Sequence, residues 1–136
     1  MAESPVPERI DALTSFLPRL YAEGLSPVVS WSGGEKRKDG SFTLGYPTYL
    51  PVVEEFYRRV SSDGWLDTGY SPEQARRMLE DENFVRTAAL DQVKTMLTFC
   101  VRGERFADGH WAQMIEKGHI RRLLERLRAI RSERSA

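Results

Sequence analysis

From Pro51 onward, apolar residues recur at the three- and four-residue spacing of a helix face. Glycine and proline cut that pattern at short intervals, so the chain can bury its apolar side only as a set of short packed helices. Ser71-Pro72-Glu73-Gln74 is the sharpest local case. A serine hydroxyl can accept from the exposed amides of the first turn, proline fits a position whose N–H is not needed, and glutamine completes a capping box. Ala75, Met78 and Leu79 then face inward, and the pattern fades near Asp81-Glu82-Asn83, with Phe84 and Val85 as a packed connector. A helix follows from about Thr87 to Arg102, with Leu90, Val93, Leu97 and Cys100 or Val101 on one face. Gly103 is placed to end it as a left-handed cap. Asp108 is placed to cap a short helix carrying Trp111, Met114 and Ile115 inward, which ends at Gly118. Ile120, Leu123, Leu124, Leu127 and Ile130 mark the inner face of the last helix.

Upstream, Pro7 opens a helix along Ile10, Leu13, Phe16 or Leu17, and Leu20, which Pro18 should end or kink. Val52, Val53, Phe56, Tyr57 and Val60 form the inner face of the helix begun at Pro51, and Trp65 and Leu66 follow as core anchors. Residues 28–50 differ in kind. Val28, Val29 and Trp31 lead into glycines and a charged tip, then Phe42, Leu44 and Tyr46 alternate with smaller residues. This reads either as an irregular hairpin with a mobile tip or as a long ordered loop. The expected fold is therefore mainly α. It is a single domain over 1–136, a bundle of five or six helices with a hairpin-like or irregular segment near 28–50, and residues 1–6 and 132–136 flexible.

Composition narrows the class of function. The chain has 136 residues, 40% hydrophobic and 29% charged, as in ordinary globular domains. No apolar run approaches the ~20 residues of a membrane span. The acidic start, Met1-Ala2-Glu3-Ser4-Pro5, lacks the apolar stretch of a secretion signal, and a cytoplasmic location is expected. One cysteine, Cys100, forms no intramolecular disulfide and reads as a small buried hydrophobe. With two histidines and one cysteine, and no phosphate loop, dinucleotide fingerprint or zinc-protease motif, neither a metal nor a cofactor is expected.

Charge is unevenly spread. Residues 1–101 hold 11 Lys/Arg against 15 Asp/Glu, whereas residues 102–136 hold 9 against 5. The arginines from Arg121 to Arg134 form either a polyanion-binding stripe or a helix face set against the acidic remainder of the same chain, and the second reading is favoured.

Within ten residues, Arg102-Gly103-Glu104-Arg105-Phe106-Ala107-Asp108-Gly109-His110-Trp111 gathers two arginines, two carboxylates, a histidine and two aromatics between helices. As a site, Arg102 and Arg105 would fork a carboxylate or phosphate, and His110 would carry a proton with Glu104 or Asp108 orienting its ring. As a corner, Asp108 caps a helix, Glu104 pairs with an arginine, and Phe106 and Trp111 fill the core. The corner is favoured, because ion-pair networks also concentrate ionisable groups.

The same run, followed by Ile115-Glu116 and Gly118, resembles the signature of a family of small bacterial and archaeal proteins known only as a domain of unknown function (DUF6508-like). The likeness is strongest over residues 84–127, with an echo from Tyr46-Pro47 to Phe56 and at Trp65. Members often carry cysteine where this chain has Ala107, so a thiol role there does not transfer. The resemblance implies a single domain and no particular activity. The leading expectation is a binding or interaction module for an acidic partner, a protein surface or nucleic acid but no membrane. It would use Arg102, Glu104, Arg105, Asp108, His110, Trp111 and the basic last helix, and an oligomer is compatible with it. The alternative is an enzyme on a small anionic substrate with His110 as acid/base.

Overall fold

Among the described residues, helical periodicity and proline punctuation resolve, in the computed structural model, into eight α-helices and one small sheet. Residues 7–32, 46–62, 64–67, 69–105 and 109–135 are described; the charged hairpin tip, Phe106, Ala107 and Asp108 lie outside them.

Pro7 starts α1 (Pro7–Thr14), and Pro18 falls in the first turn of a separate α2 (Leu17–Leu20), where it removes no helical bond. Strands β1 (Val28–Ser32) and β2 (Tyr46–Tyr49) pair antiparallel, Trp31 opposite Pro47, with a register shift between Val28 and Ser30. Of the two readings of residues 28–50, the hairpin is therefore the one seen, and Pro47 is tolerated because a two-stranded ribbon is all edge. Next come α3 (Pro51–Ser62) and α4 (Pro72–Glu80), the latter capped by Ser71, whose hydroxyl accepts from the Gln74 amide at 3.3 Å.

The expected connector at Phe84 and Val85 is a helix of its own, α5 (Glu82–Thr87). Asp81 both follows α4 and caps α5, accepting from the Phe84 amide at 3.1 Å, so two helices meet with no loop between them. This junction and the α1–α2 break raise the helix number above the five or six expected. After an extended Ala88-Ala89, α6 (Leu90–Arg102) runs into a 3-10 turn (Gly103–Arg105), then α7 (His110–Glu116) and α8 (His119–Ser135).

The core forms around α6 and α8. α8 packs against α1, α5, α6 and α7, and α6 also meets α3 and α4. Ile120, Leu123, Leu124 and Leu127 of α8 are sealed from solvent, as are Val93, Met96 and Cys100 of α6 and Trp65 before α4. Among the described residues no helix is long and apolar enough to cross a membrane. The sheet and α3 lie on the side of the core where the turn after α6 meets α7, and that side carries the cluster singled out above.

Candidate functional site

Glu104 organises the junction. Its carboxylate accepts from the Gly109 amide at 3.0 Å and the Trp111 amide at 2.8 Å, satisfying the start of α7 from outside the helix. The Tyr49 hydroxyl, at the end of β2, donates to the same carboxylate, lying 2.8 and 2.9 Å from its two oxygens. Burial first, and this carboxylate second, push the Tyr49 phenol well above its usual pKa. One side chain thus ties the turn after α6, the start of α7 and the hairpin together.

Glu104 forms no ion pair with Arg102, and the Arg105 side chain, the other arginine of the stretch, lies outside the described residues. The residue at the N-cap position of α7 is Gly109, in the left-handed region at φ 91° with no side chain to cap with, and the acceptor comes from Glu104. Asp108, the expected cap, lies outside the described residues, and so does the Arg105 side chain. The proposed Arg102–Arg105 fork is therefore represented here by Arg102 alone.

Gly103 also differs from expectation. It has ordinary right-handed backbone, φ −60° and ψ −26°, and α6 tightens into the 3-10 turn instead of stopping at a left-handed cap. What requires glycine there is close approach: a β-carbon would land on the His110 imidazole. His110 is 9% exposed, sits edge-on to Phe99 with ring centroids 5.1 Å apart, and has its Nε2 buried without a hydrogen-bond partner among the described residues. Burial lowers its pKa, with the Phe99 backbone opposing. Glu104 does not orient the ring, because its oxygens serve Tyr49 and the two amides.

Trp111 is half-buried. Its indole stacks on Tyr57 at 4.5 Å and 9°, tilts against Tyr49 at 5.3 Å, and donates its N–H to the Val101 carbonyl at 2.9 Å. Tyr57 in turn donates to the Trp111 carbonyl at 3.1 Å. Beside it opens a cleft of about 410 Å³ lined by Ser61, Leu66, Val101, Arg102, Glu104 and Trp111. Arg102 is partly buried, its guanidinium lies 5.5 Å from the Tyr70 ring centre, and no carboxylate pairs with it among the described residues.

A family model described as a family of unknown function (DUF6508) matches residues 5–133. The chain belongs to that family. No curated protein and no solved structure matches it.

Of the residues singled out in the sequence, then, the cleft brings together Arg102, Glu104 and Trp111, while His110 is turned into the packing behind them. Tyr49, Tyr70, Ser61 and Leu66 complete the neighbourhood and went unnoticed as site members. They come from β2, the α3 end and the segment before α4, and nothing in their local sequence marks them out.

The basic last helix is engaged within the molecule. Arg122 reaches Glu82 of α5 at 3.6 Å, and Arg131 reaches Asp11 of α1 at 3.2 Å. Arg126 donates to the Ala88 carbonyl at 2.8 Å, and Arg121 pairs with Glu125 at 3.3 Å. The acidic surface these arginines meet belongs to the chain itself.

Proposed function

We propose that this chain is a non-catalytic binding module that takes an acidic group of a protein partner in the Arg102 cleft. The observation that carries the reading is Arg102 itself, a partly buried guanidinium held over Tyr70 at an open cleft and in no ion pair among the described residues. A cation left in that state is set up to be completed by an anion from outside. Nucleic acid fits less well, because phosphate-backbone recognition needs several free cations in a row, and Arg121, Arg122 and Arg131 of α8 pair with the chain's own acids.

The alternative, an acid/base enzyme on the same cleft, would need His110 beside Arg102. His110 packs instead against Phe99 and Gly103 and is not among the cleft-lining residues. A cytoplasmic setting suits the reading, since Cys100 is a free, buried thiol.

Capture on immobilised acidic polypeptide tests the proposal. Arg102→Ala should lose binding, whereas Arg121→Ala, whose arginine already pairs with Glu125, should retain it. Equal capture of wild type and Arg102→Ala would refute it, and a steep salt dependence on DNA would favour nucleic acid instead.

A further inference from the structure

The free chemistry of the cleft is narrower than its composition. Glu104 is occupied by Tyr49 and the Gly109 and Trp111 amides. The Trp111 N–H is given to Val101, and the Ser61 hydroxyl donates to the Tyr57 carbonyl at 2.8 Å. What remains toward a ligand is one cationic fork, Arg102, and the apolar surfaces of Trp111, Leu66 and Val101. Glu104 adds a constraint of its own, because a carboxylate lining the cleft repels negative charge on the ligand, and repels a dianion more than a monoanion. The volume, about 410 Å³, is that of an ordinary small-molecule pocket of ~300–1,000 Å³ and far exceeds the need of a bare anion.

We infer that the Arg102 cleft selects a singly charged carboxylate carried on an apolar, preferably aromatic, body. Arg102 takes the carboxylate as a two-pronged partner, with Tyr70 fixing the plane of the guanidinium as a positioning residue. The body lies along Trp111, Leu66 and Val101. A free small acid and the C-terminal carboxylate of a peptide ending in an apolar residue present the same chemistry. Dianions and polyphosphates carry charge that one arginine cannot balance and that Glu104 opposes. This inference rests on the binding-module reading and specifies its ligand.

Titrations followed by the Trp111 indole N–H resonance and by calorimetry test it. The probes are phenylpropionate, phenylpropionamide, phenylsuccinate, acetate and inorganic phosphate, together with a short peptide ending in phenylalanine, free or amidated at its C-terminus. Phenylpropionate should shift the indole resonance saturably. Its amide should bind about tenfold or more weakly, since a lost charge-assisted pair is worth roughly that factor. Acetate, phosphate and phenylsuccinate should all bind less tightly than phenylpropionate. If the free peptide follows phenylpropionate and its amide does not, the physiological source is a chain terminus; if only the small acid binds, it is a free acid. Both outcomes support the inference.

Arg102→Ala should abolish the shift. Arg102→Lys, which keeps the charge without the fork, should recover part of it, and circular dichroism should show both variants folded. The comparison of acid with amide uses only the wild-type protein and holds even if a variant fails to fold. Phosphate or phenylsuccinate binding tighter than phenylpropionate overturns the inference while leaving the Arg102 module intact, because capture on acidic polypeptide would still depend on Arg102. Failure of every probe overturns the inference too, and loss of Arg102 dependence in that capture assay removes the underlying reading separately.

Discussion

Replacing Glu104 with alanine should be the most costly single polar change at the junction. Its carboxylate holds three donors: the Tyr49 hydroxyl and the amides of Gly109 and Trp111. Loss of a helix cap costs about 0.5–2 kcal/mol, and hydrogen bonds to a charged acceptor are worth roughly 1.5–3 kcal/mol each. These contributions overlap, and water entering from the adjoining cleft can replace part of them. A net loss of about 2–4 kcal/mol is therefore expected, out of a total stability of ~5–15 kcal/mol for a domain of this kind. Urea unfolding followed by circular dichroism measures it. A double-mutant cycle with Tyr49→Phe then isolates the contact: the tyrosine change should cost about 1–2 kcal/mol in the wild-type background and less than about 0.5 kcal/mol once Glu104 is alanine. Glu104→Ala within about 0.5 kcal/mol of wild type, or an unchanged cost of Tyr49→Phe in the two backgrounds, would refute the claim that this carboxylate fastens the hairpin to α7.

Gly103→Ala should destabilise by about 1–3 kcal/mol, because its β-carbon falls on the His110 ring, and should cost clearly less in a His110→Ala background; equal costs in both would show that backbone conformation is the reason for glycine. Stability should also fall at alkaline pH. Burial pushes the Tyr21 phenol from 10.0 up to about 12 and raises Tyr49 and Tyr57 as well, so the folded chain keeps protons that the unfolded chain releases. The tyrosine contribution is whole below pH 10 and is lost as pH climbs towards and through 12. Melting temperatures across that window, read alongside tyrosinate absorbance, check it; an unchanged melting temperature together with tyrosinate forming at its ordinary pH in the folded protein would count against burial of these phenols.

Much of the architecture follows from local chemistry. Helix positions, the Ser71 cap, the terminating role of Gly118 at φ 81° and the inner faces of α3, α6 and α8 can be read from spacing and punctuation, because each depends on residues within a turn or two of one another. The α4–α5 junction was less legible: Asp81-Glu82-Asn83 ends one helix pattern, and that the same aspartate starts the next depends on how Val85 packs into the core.

At the junction, sequence misread Gly103 and did not foresee that Glu104 caps α7. Glycine after a long helix reads as a left-handed cap, and an aspartate before a short one reads as its N-cap, since both are the commonest local solutions. Only the tertiary structure decides that Gly103 makes room for an imidazole and that α7 is capped from outside by Glu104. It likewise decides that the last helix's arginines answer Asp11 and Glu82 while Arg102 is left facing a cleft. Each of these outcomes depends on a partner far along the chain or on a neighbouring element, and a residue's own surroundings in the sequence carry no record of which distant group folding will bring against it.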